Sequence, residues 1–397
     1  MTRAALEPRR VLVTGGTGFI GGRLVERLAG KPGVGLRVLI SDFARAARVA
    51  RFDAELVRGD VADPDTVLRA AEGCDTIFHC AYGGRGSAAE RHRITVEGTR
   101  AVLDAGLAVA ARRVVHVSTM LVYGMGVEGD LDESAPRRRS RVAYADAKIE
   151  AEALALRYAS EHGLPVSVIQ PTTVYGPFGR GWTARVLDDL RTGRVILVDG
   201  GVGHANPVYV DDVVDALLAA AASEHAVGEA FLVSGGERVT WREFYGCFER
   251  MLGFTSTVSM PRDEAKAVYA RLQRRTGVLR ELVAVVREHP EVRRRIGATR
   301  EVALVRRLLV PVMARRSRAA VAPRAAADTR PGGRDSRSPV HGVHPAYVDF
   351  LAATTVVRID KARRLLGYEP RFDLARGMAM TERWARWANL LHEGAAP

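Results

Sequence analysis

Tyr144 and Lys148 are the residues whose types and spacing point most directly to chemistry. They stand four residues apart in Tyr144-Ala-Asp-Ala-Lys148, so a helix that contains both presents them on one face. The Lys148 ammonium is then close to the Tyr144 phenol and favours the phenolate, so a group with a pKa of about 10 can exchange protons closer to neutrality. Thr119, 25 residues upstream of Tyr144, supplies a hydroxyl that can hydrogen-bond the same substrate oxygen. The sequence therefore predicts a proton-transfer site.

A glycine-rich turn near the start of the chain predicts which cofactor such a site binds. Residues 11–14 form a short apolar run that is predicted as a buried strand. Three glycines follow in the spacing G-x-x-G-x-x-G: Gly15, Gly18 and Gly21. Phe19 and Ile20 begin an apolar pattern at helical spacing, so a helix is predicted from near Gly18. Glycine permits a tight turn and close approach to a pyrophosphate, which the N–H groups of a helix N-terminus favour. The turn therefore predicts a dinucleotide site, and Tyr144 beside a nicotinamide predicts hydride transfer at one carbon.

Asp42 follows the second predicted strand, Leu36–Ile40, and stands 21 residues after Gly21. An acid at this place meets the adenosine ribose hydroxyls and repels a 2′-phosphate, which favours NAD over NADP. The nearby Arg45 weakens this preference, and a simple turn role for Asp42 remains the alternative.

The next two strands are predicted to end near the same cofactor. Asp60 and the backbone of Val61 follow the third strand and are expected to hold adenine. The fourth strand, 76–81, ends at Ala81 beside the expected cofactor. Its His79 and Cys80 are predicted as packed core residues and not as ligands.

These motifs resemble the extended short-chain dehydrogenase/reductases, the NAD-dependent epimerase/dehydratase family. The resemblance covers roughly residues 9–255 and 355–390. The segments that carry it are Thr14–Gly21, Gly59–Asp63, His79–Ala81, His116–Gly124, Tyr144–Lys148, Gln170–Pro177 and Asp360–Pro370.

The resemblance implies roles for particular residues. Tyr144 is the acid/base, Lys148 lowers its pKa and holds the nicotinamide ribose, and Thr119, not Ser118, orients the reacting oxygen. NAD supplies the hydride chemistry, while the protein supplies placement and electrostatics. The residues expected along the nicotinamide are Pro171, Thr172 and Thr173. The resemblance also implies a homodimer that pairs through helices including the Tyr-x-x-x-Lys helix.

Several positions depart from the family pattern. Sugar-nucleotide 4,6-dehydratases place Asp-Glu where this chain has Met120 and Leu121, so elimination of water lacks its usual groups. Many nucleotide-sugar epimerases carry an Arg-Asp pair where this chain has His204–Pro207, which weakens a nucleotide-sugar substrate without excluding it. Thr95 and Gln170 stand where the family often has Asn and Arg.

Three functions stay open at this point. The first is an oxidoreductase or epimerase acting at a secondary alcohol or ketone of a sugar-nucleotide-like substrate. The second is a hydroxysteroid- or lipid-type dehydrogenase or ketoreductase at a membrane surface. The third is a nucleotide-binding protein without turnover, against which the intact Thr119, Tyr144 and Lys148 argue. The same three residues serve epimerisation, dehydrogenation and ketoreduction.

The composition of the chain bears on its binding partners and on its cellular compartment. The net charge is +13, and residues 262–340 hold 20 Lys and Arg against eight Asp and Glu, so this segment carries almost all of it. The segment has one aromatic residue, Tyr269, and no recognisable motif, which argues against nucleic-acid binding. Three scattered cysteines predict neither a disulfide framework nor a metal site. With no signal peptide and no apolar run long enough to span a membrane, a cytoplasmic protein is expected.

The order of predicted elements indicates an α/β fold, a doubly wound parallel sheet with helices on both faces. Residues 9–177, completed by about 206–236, are the predicted NAD-binding domain. Residues 178–205 and 240–397 are the predicted substrate-binding part. Residues 262–345 are a basic helical insertion that ends in a flexible linker from 317. Its helices are expected to form a solvated lid, with a peripheral membrane anchor as the alternative.

Overall fold

The computed structural model describes residues 9–271 and 343–391. The chain divides into two compact units, one formed by Met1–Arg262 with His344–Pro397 and the other by Asp263–Val343. In the second unit, residues 263–271 are helical. The remaining helices and the linker predicted for 262–345 lie outside the described residues. Within the described ranges, no helix is both long enough and apolar enough to cross a lipid bilayer.

The strands of the described chain are short and alternate with helices through most of the first unit. The strands are β1 Arg10–Thr14, β2 Gly35–Ile40, β3 Glu55–Arg58, β4 Thr76–His79, β5 Arg113–Val117, β6 Asp130–Leu131, β7 Val166–Pro171, β8 Thr173–Tyr175, β9 Ile196–Val198, β10 Pro207–Tyr209, β11 Ala230–Val233, β12 Val258–Met260 and β13 Val356–Val357. The α-helices are α1 Phe19–Ala29, α2 Pro64–Ala71, α3 Ala88–Ala108, α4 Ala143–His162, α5 Arg185–Arg191, α6 Val210–Ala222, α7 Trp241–Leu252, α8 Pro345–Ala352, α9 Asp360–Leu366 and α10 Leu374–Trp387.

Seven parallel strands form the main sheet, in the order β11-β7-β5-β4-β1-β2-β3. Helices α2, α3 and α4 pack side by side in one layer, while α1, α6 and α9 belong to the other. The strands are apolar on both faces because helices cover both, as in Val11, Leu12 and Val13 of β1, which are fully buried. The predicted doubly wound parallel sheet is confirmed.

The carboxyl ends of the parallel strands meet at one edge of the sheet, and this edge collects the predicted site residues. The glycine turn follows β1, Asp42 follows β2, and Ala81 comes two residues after β4. Thr119 comes two residues after β5, at the cap of a short 3₁₀ helix over Met120–Tyr123. Alternation of strand and helix therefore assembles residues that are far apart in sequence.

Local sequence signals match the structure closely, with small differences at element ends. The fourth strand is two residues shorter than predicted and ends at His79, so Cys80 is half-buried in the following loop. His79 is buried as predicted, and its ring nitrogens bond Thr14 Oγ1 at 2.7 Å and Thr99 Oγ1 at 3.0 Å. Thr240 caps α7 in a reciprocal capping box with Glu243.

Candidate active site

The glycine turn is held in a shape that other residues would not adopt without strain. Gly15 has φ +69°, and a Cβ added there would lie 2.6 Å from the backbone nitrogen of Ala81. The Gly18 N–H donates to the Gly15 carbonyl oxygen at 2.9 Å, which closes the turn. A Cβ on Gly21 would collide with that same carbonyl. The ends of β1 and β4 are therefore in close contact, with bare backbone on the side where α1 begins.

The residues around this turn fit a dinucleotide. Phe19 and Ile20 open α1, and no side chain in the described ranges caps its first turn, so its N–H groups remain available to an anion. Across the sheet edge, Thr173 is 2% exposed and its hydroxyl has no hydrogen-bond partner among the described residues. Pro171 and Thr172 are buried beside it, and Thr172 is bonded to the Val233 carbonyl oxygen. A buried hydroxyl without a protein partner suits a polar group of a bound cofactor.

Asp42 is exposed at the carboxyl end of β2, where the ribose was predicted. One of its carboxylate oxygens accepts the Ala44 N–H at 2.9 Å and caps a short 3₁₀ helix over Phe43–Arg48. The turn role and the ribose role are therefore compatible, because capping engages a single oxygen. Arg45 is exposed in the same turn. The ribose contact remains a prediction.

Asp60 is bonded on both carboxylate oxygens. It accepts the Ala62 N–H at 2.9 Å and the Arg93 guanidinium of α3 at 2.6 Å. Partial burial raises the pKa of Asp60, but these two hydrogen bonds outweigh it and hold the pKa below its usual value. Val61 is half-buried, and its side chain packs against Gly98. The predicted adenine contacts of Asp60 and Val61 stay predictions.

Thr119 and Tyr144 are brought together as the sequence predicted. Thr119 is 7% exposed, and its hydroxyl accepts the Leu121 N–H at 3.3 Å, while Tyr144 lies in the first turn of α4. The Thr119 hydroxyl is close enough to interact with the Tyr144 hydroxyl, and this interaction lowers the pKa of Tyr144. Burial has the larger effect, and together with the neighbouring Tyr82 and Tyr347 it raises the pKa of Tyr144 above its ordinary value.

Lys148 has a different partner from the one that the spacing predicted. Its ammonium is buried and donates to the Val117 carbonyl oxygen at 2.7 Å. Burial lowers the pKa of Lys148 to about 8, against the opposing influence of Cys80 and Glu152. The prediction that Lys148 favours the Tyr144 phenolate is therefore corrected for this arrangement: Lys148 is engaged with β5, and the pKa of Tyr144 is raised.

Ser118, immediately before Thr119, has its hydroxyl turned away from Tyr144. It donates to Glu152 of α4 at 2.5 Å. Glu152 is 1% exposed and also accepts from Gln170 and Arg137. The choice of Thr119 over Ser118 thus agrees with the side-chain directions. Glu152 was missed by the sequence reasoning, although its place four residues after Lys148 puts it on the same helix face.

Aromatic rings surround Tyr144. Tyr82 is 51% exposed, and its ring meets that of Tyr144 edge-on with centroids 5.6 Å apart. The Lys148 ammonium lies 5.8 Å from the centroid of the same Tyr82 ring. Tyr347 of α8 is half-buried and close enough to act electrostatically on Tyr144. No local signal pointed to Tyr347, because it follows the long basic segment in sequence.

A cavity of about 330 Å³ lies among segments that adjoin these residues. Its lining includes Tyr123 and Met125 from the chain after Thr119, Ser140 from the chain before Tyr144, and Ala346 next to Tyr347. The cavity therefore offers room for a substrate portion beyond the reacting carbon.

This fold and the glycine turn are those of the extended short-chain dehydrogenase/reductases. Over residues 11–234 the chain matches the NAD dependent epimerase/dehydratase family. The match spans more than half of the chain, which therefore belongs to that family and is an NAD-dependent enzyme.

Known relatives include enzymes of different chemistry. A 4-hydroxy-2-methyl-3-oxo-4-farnesyl-3,4-dihydroquinoline-1-oxide ketoreductase of Stigmatella aurantiaca is 31% identical over 263 residues, covering 65% of this chain and 78% of the relative. A dTDP-glucose 4,6-dehydratase of Streptomyces niveus is 33% identical over 256 residues, covering 58% of this chain and 74% of the relative. A solved dTDP-glucose 4,6-dehydratase of Streptomyces venezuelae with NAD bound has a TM-score of 0.64 at 23% identity, covering 95% of this chain and 97% of the other. That last likeness shows the fold.

Proposed function

We propose that this protein is an NAD-dependent oxidoreductase that interconverts a ketone and a secondary alcohol on a substrate that is apolar around the reacting carbon. The observation that carries the proposal is the proximity of the Thr119 and Tyr144 side chains at the sheet edge that also holds the glycine turn. Two neighbouring hydroxyls can supply the hydrogen-bond donors that a carbonyl oxygen needs as it gains negative charge.

In the direction of ketone reduction, the hydroxyls of Thr119 and Tyr144 hydrogen-bond the substrate oxygen. NADH, held at the glycine turn and beside Thr173, would supply the hydride for the carbonyl carbon and leave as NAD⁺. Tyr144 gives its proton to the oxygen, so one O–H bond breaks on Tyr144 and one forms on the product alcohol. The resulting phenolate regains a proton from solvent. The raised pKa of Tyr144 suits this direction, because the phenol stays protonated at neutral pH until the oxygen becomes basic.

Lys148 supplies the positive charge of the site. With a pKa lowered to about 8, its ammonium is largely protonated at neutral pH and stabilises negative charge that develops nearby. Its hydrogen bond to the Val117 carbonyl oxygen fixes the ammonium against β5. The same group is proposed to bind the nicotinamide ribose.

Tyr82 and Tyr347 support an apolar substrate over a polyhydroxylated one. Tyr82 presents a half-exposed ring directly beside the Tyr144 ring, where it would contact substrate atoms next to the reacting carbon. Aromatic faces gain free energy from covering apolar surface and offer few partners to sugar hydroxyls. The substrate in the name of the Stigmatella aurantiaca ketoreductase is a ring ketone with a farnesyl group, which fits this chemistry.

Dehydration is disfavoured by the residues after Thr119. Met120 is 4% exposed and apolar, and Leu121 is apolar and half-buried. Neither can act as an acid or a base, so elimination of water has no proton carrier at these positions.

The test is a substrate panel with the purified protein and either NADH or NADPH. Apolar cyclic ketones, such as 2-tetralone and 4-androstene-3,17-dione, are compared with UDP-glucose, whose epimerisation is followed by chromatography. We expect consumption of NADH with a ketone of the apolar group. Turnover of the sugar nucleotide alone would contradict the proposed substrate class, and failure to bind NAD(H) would contradict the proposed reaction.

A further inference from the structure

A buried carboxylate lies behind the proposed catalytic residues. Glu152 of α4 is 1% exposed and accepts hydrogen bonds from the Ser118 hydroxyl at 2.5 Å and from Gln170 Nε2 at 2.9 Å. Arg137, from the loop after β6, donates to it from Nε at 3.0 Å and also pairs with it through Nη2 at 3.0 Å. A charge so deeply buried is costly unless it is paired and hydrogen-bonded, and Glu152 is both.

The groups around Glu152 provide hydrogen-bond donors and a positive charge. Gln170 accepts the Tyr123 hydroxyl on Oε1 at 2.9 Å, so its amide nitrogen faces Glu152. The Ser118 hydroxyl, the Gln170 amide and the Arg137 guanidinium all contact the carboxylate. The Arg137 guanidinium is a permanent cation that pairs with it.

Glu152 reaches the site along two routes. It lies four residues after Lys148 on one face of α4, which brings a negative charge near the buried ammonium. It also binds Ser118, which stands between Val117 and Thr119. Val117 accepts the Lys148 hydrogen bond, and Thr119 acts on the pKa of Tyr144. Glu152 therefore ties the end of β5 to the helix that carries the acid/base.

We propose that Glu152 is a positioning residue of the active site, holding the Val117–Thr119 segment in place through Ser118 and keeping the Lys148 ammonium charged. The roles of Lys148 and Thr119 rest on the proposed function. The effect of Glu152 on Lys148 and Thr119 can be measured without enzyme turnover.

The charged groups around Lys148 determine the direction in which loss of Glu152 shifts the pKa of Lys148. Its titratable neighbours are His79, Cys80, Tyr82, His116, Tyr144 and Glu152. Burial lowers the pKa of Lys148, while Cys80 and Glu152 raise it. Both histidines are neutral because burial holds their pKa values far below the ordinary one. Glu152 is thus the fixed negative charge of this set, and its removal should lower the pKa of Lys148 further.

The chain has four lysines, so its lysine signals can be resolved singly. Protein labelled with ¹³C at lysine Cε is titrated by NMR, and the Lys148 signal is assigned with Lys148→Met. We expect a wild-type midpoint of about 8, a lower midpoint in Glu152→Gln, and no change in Glu150→Gln. Glu150 is the matched control, because it lies on the same helix and pairs with the exposed His92 and Arg139. An unchanged midpoint in Glu152→Gln would overturn the electrostatic role.

Two further variants keep the proposal testable if Glu152→Gln does not fold. Arg137→Gln with Glu152→Gln replaces the ion pair by two amides and is again expected to lower the Lys148 midpoint; a wild-type midpoint would overturn the proposal.

Ser118→Ala keeps the Glu152 side chain, so the Lys148 midpoint should stay at the wild-type value, while kcat falls about tenfold with the KM for NADH unchanged. Wild-type kcat in Ser118→Ala would refute the positioning role. If the wild type turns over no substrate of the panel while Glu152→Gln still shows the lowered Lys148 midpoint, the proposed function alone is refuted.

Discussion

The Lys148 ammonium donates a 2.7 Å hydrogen bond to the Val117 carbonyl oxygen, two residues before Thr119 in the same chain segment. Tyr144, one turn earlier on α4, instead interacts with the Thr119 hydroxyl, which lowers the pKa of Tyr144. The Tyr-x-x-x-Lys pair is therefore anchored by two positions at the end of one strand. Any change that moves this strand end relative to α4 should disturb both proton transfer and the charge beside it.

The close approach of Gly15 to Ala81 predicts the effect of a single methyl group. Gly15→Ala places a Cβ 2.6 Å from the Ala81 nitrogen at φ +69°, so the turn must shift. We expect the affinity for NAD to fall at least about tenfold, measured by calorimetry. The control is Gly30→Ala at the end of α1, where φ is −83° and the nearest atom is 3.8 Å away. Equal NAD affinities in the two variants would contradict the role of the turn.

The ion pair between Arg137 and Glu152 predicts a loss of stability. Arg137→Gln leaves a buried carboxylate without its cation, and we expect a loss of about 2 to 3 kcal/mol in the free energy of unfolding, measured in urea. Arg139→Gln breaks a comparable contact with the more exposed Glu150 and should cost less than about 1 kcal/mol. Similar losses of unfolding free energy in both variants would argue that Glu152 is not a buried charge.

Two buried histidines predict that acid destabilises the protein. Burial, with the Lys148 charge adding to it, lowers the pKa of His79 to about 3 and holds that of His116 well below its usual value. An unfolded histidine has a pKa of about 6.5, so below that pH the unfolded state binds more protons. Stability should therefore fall as the pH drops from about 6.5 towards the folded-state values, by about 1.4 kcal/mol per pH unit for each ring.

The measurement for this prediction is the free energy of unfolding between pH 7 and pH 5, compared between variants. His116→Phe keeps an aromatic ring beside His79, removes one titrating group and should show a shallower pH dependence. If the slope of His116→Phe matches that of the wild type, the neutral buried state of His116 is refuted.

Tyr82 predicts substrate preference. Tyr82→Ala removes the ring beside Tyr144, and we expect kcat/KM for an apolar cyclic ketone to fall about tenfold or more. Tyr82→Phe retains the ring and should stay within about threefold of the wild type, because the proposed contact is apolar. Loss of activity in the Phe variant as well would assign the contribution to the hydroxyl and contradict an apolar contact.

The sequence was sufficient for the parts of the protein that depend on local order. β1, the glycine turn and α1 follow from one run of strand residues, glycines and helical spacing, and the structure confirms them. The parallel sheet, the family and the NAD cofactor are confirmed as well. Thr119 and Tyr144 meet because β5 and α4 occupy fixed places in such a sheet.

Long-range contacts were beyond sequence reasoning. Three arginines stand in a row at 137–139, and nothing in their spacing tells which one reaches Glu152. Tyr347 approaches Tyr144 only because the chain returns to the first unit at His344. The expectation for Lys148 was wrong in its partner because helical spacing gives the face of a helix and not the direction of a long flexible side chain.

Tyr144 is proposed as the proton carrier for hydride transfer with NAD, and a pair of tyrosine variants tests this role. Tyr144→Phe and Tyr158→Phe are compared in NAD affinity and in kcat/KM on the same substrate. Tyr158 is the control, because it lies on the same helix and its hydroxyl donates to Asp104 at 2.6 Å. We predict that Tyr144→Phe keeps NAD affinity and loses about 10²- to 10⁴-fold in kcat/KM, while Tyr158→Phe retains wild-type activity. Retention of wild-type kcat/KM in Tyr144→Phe would contradict the account.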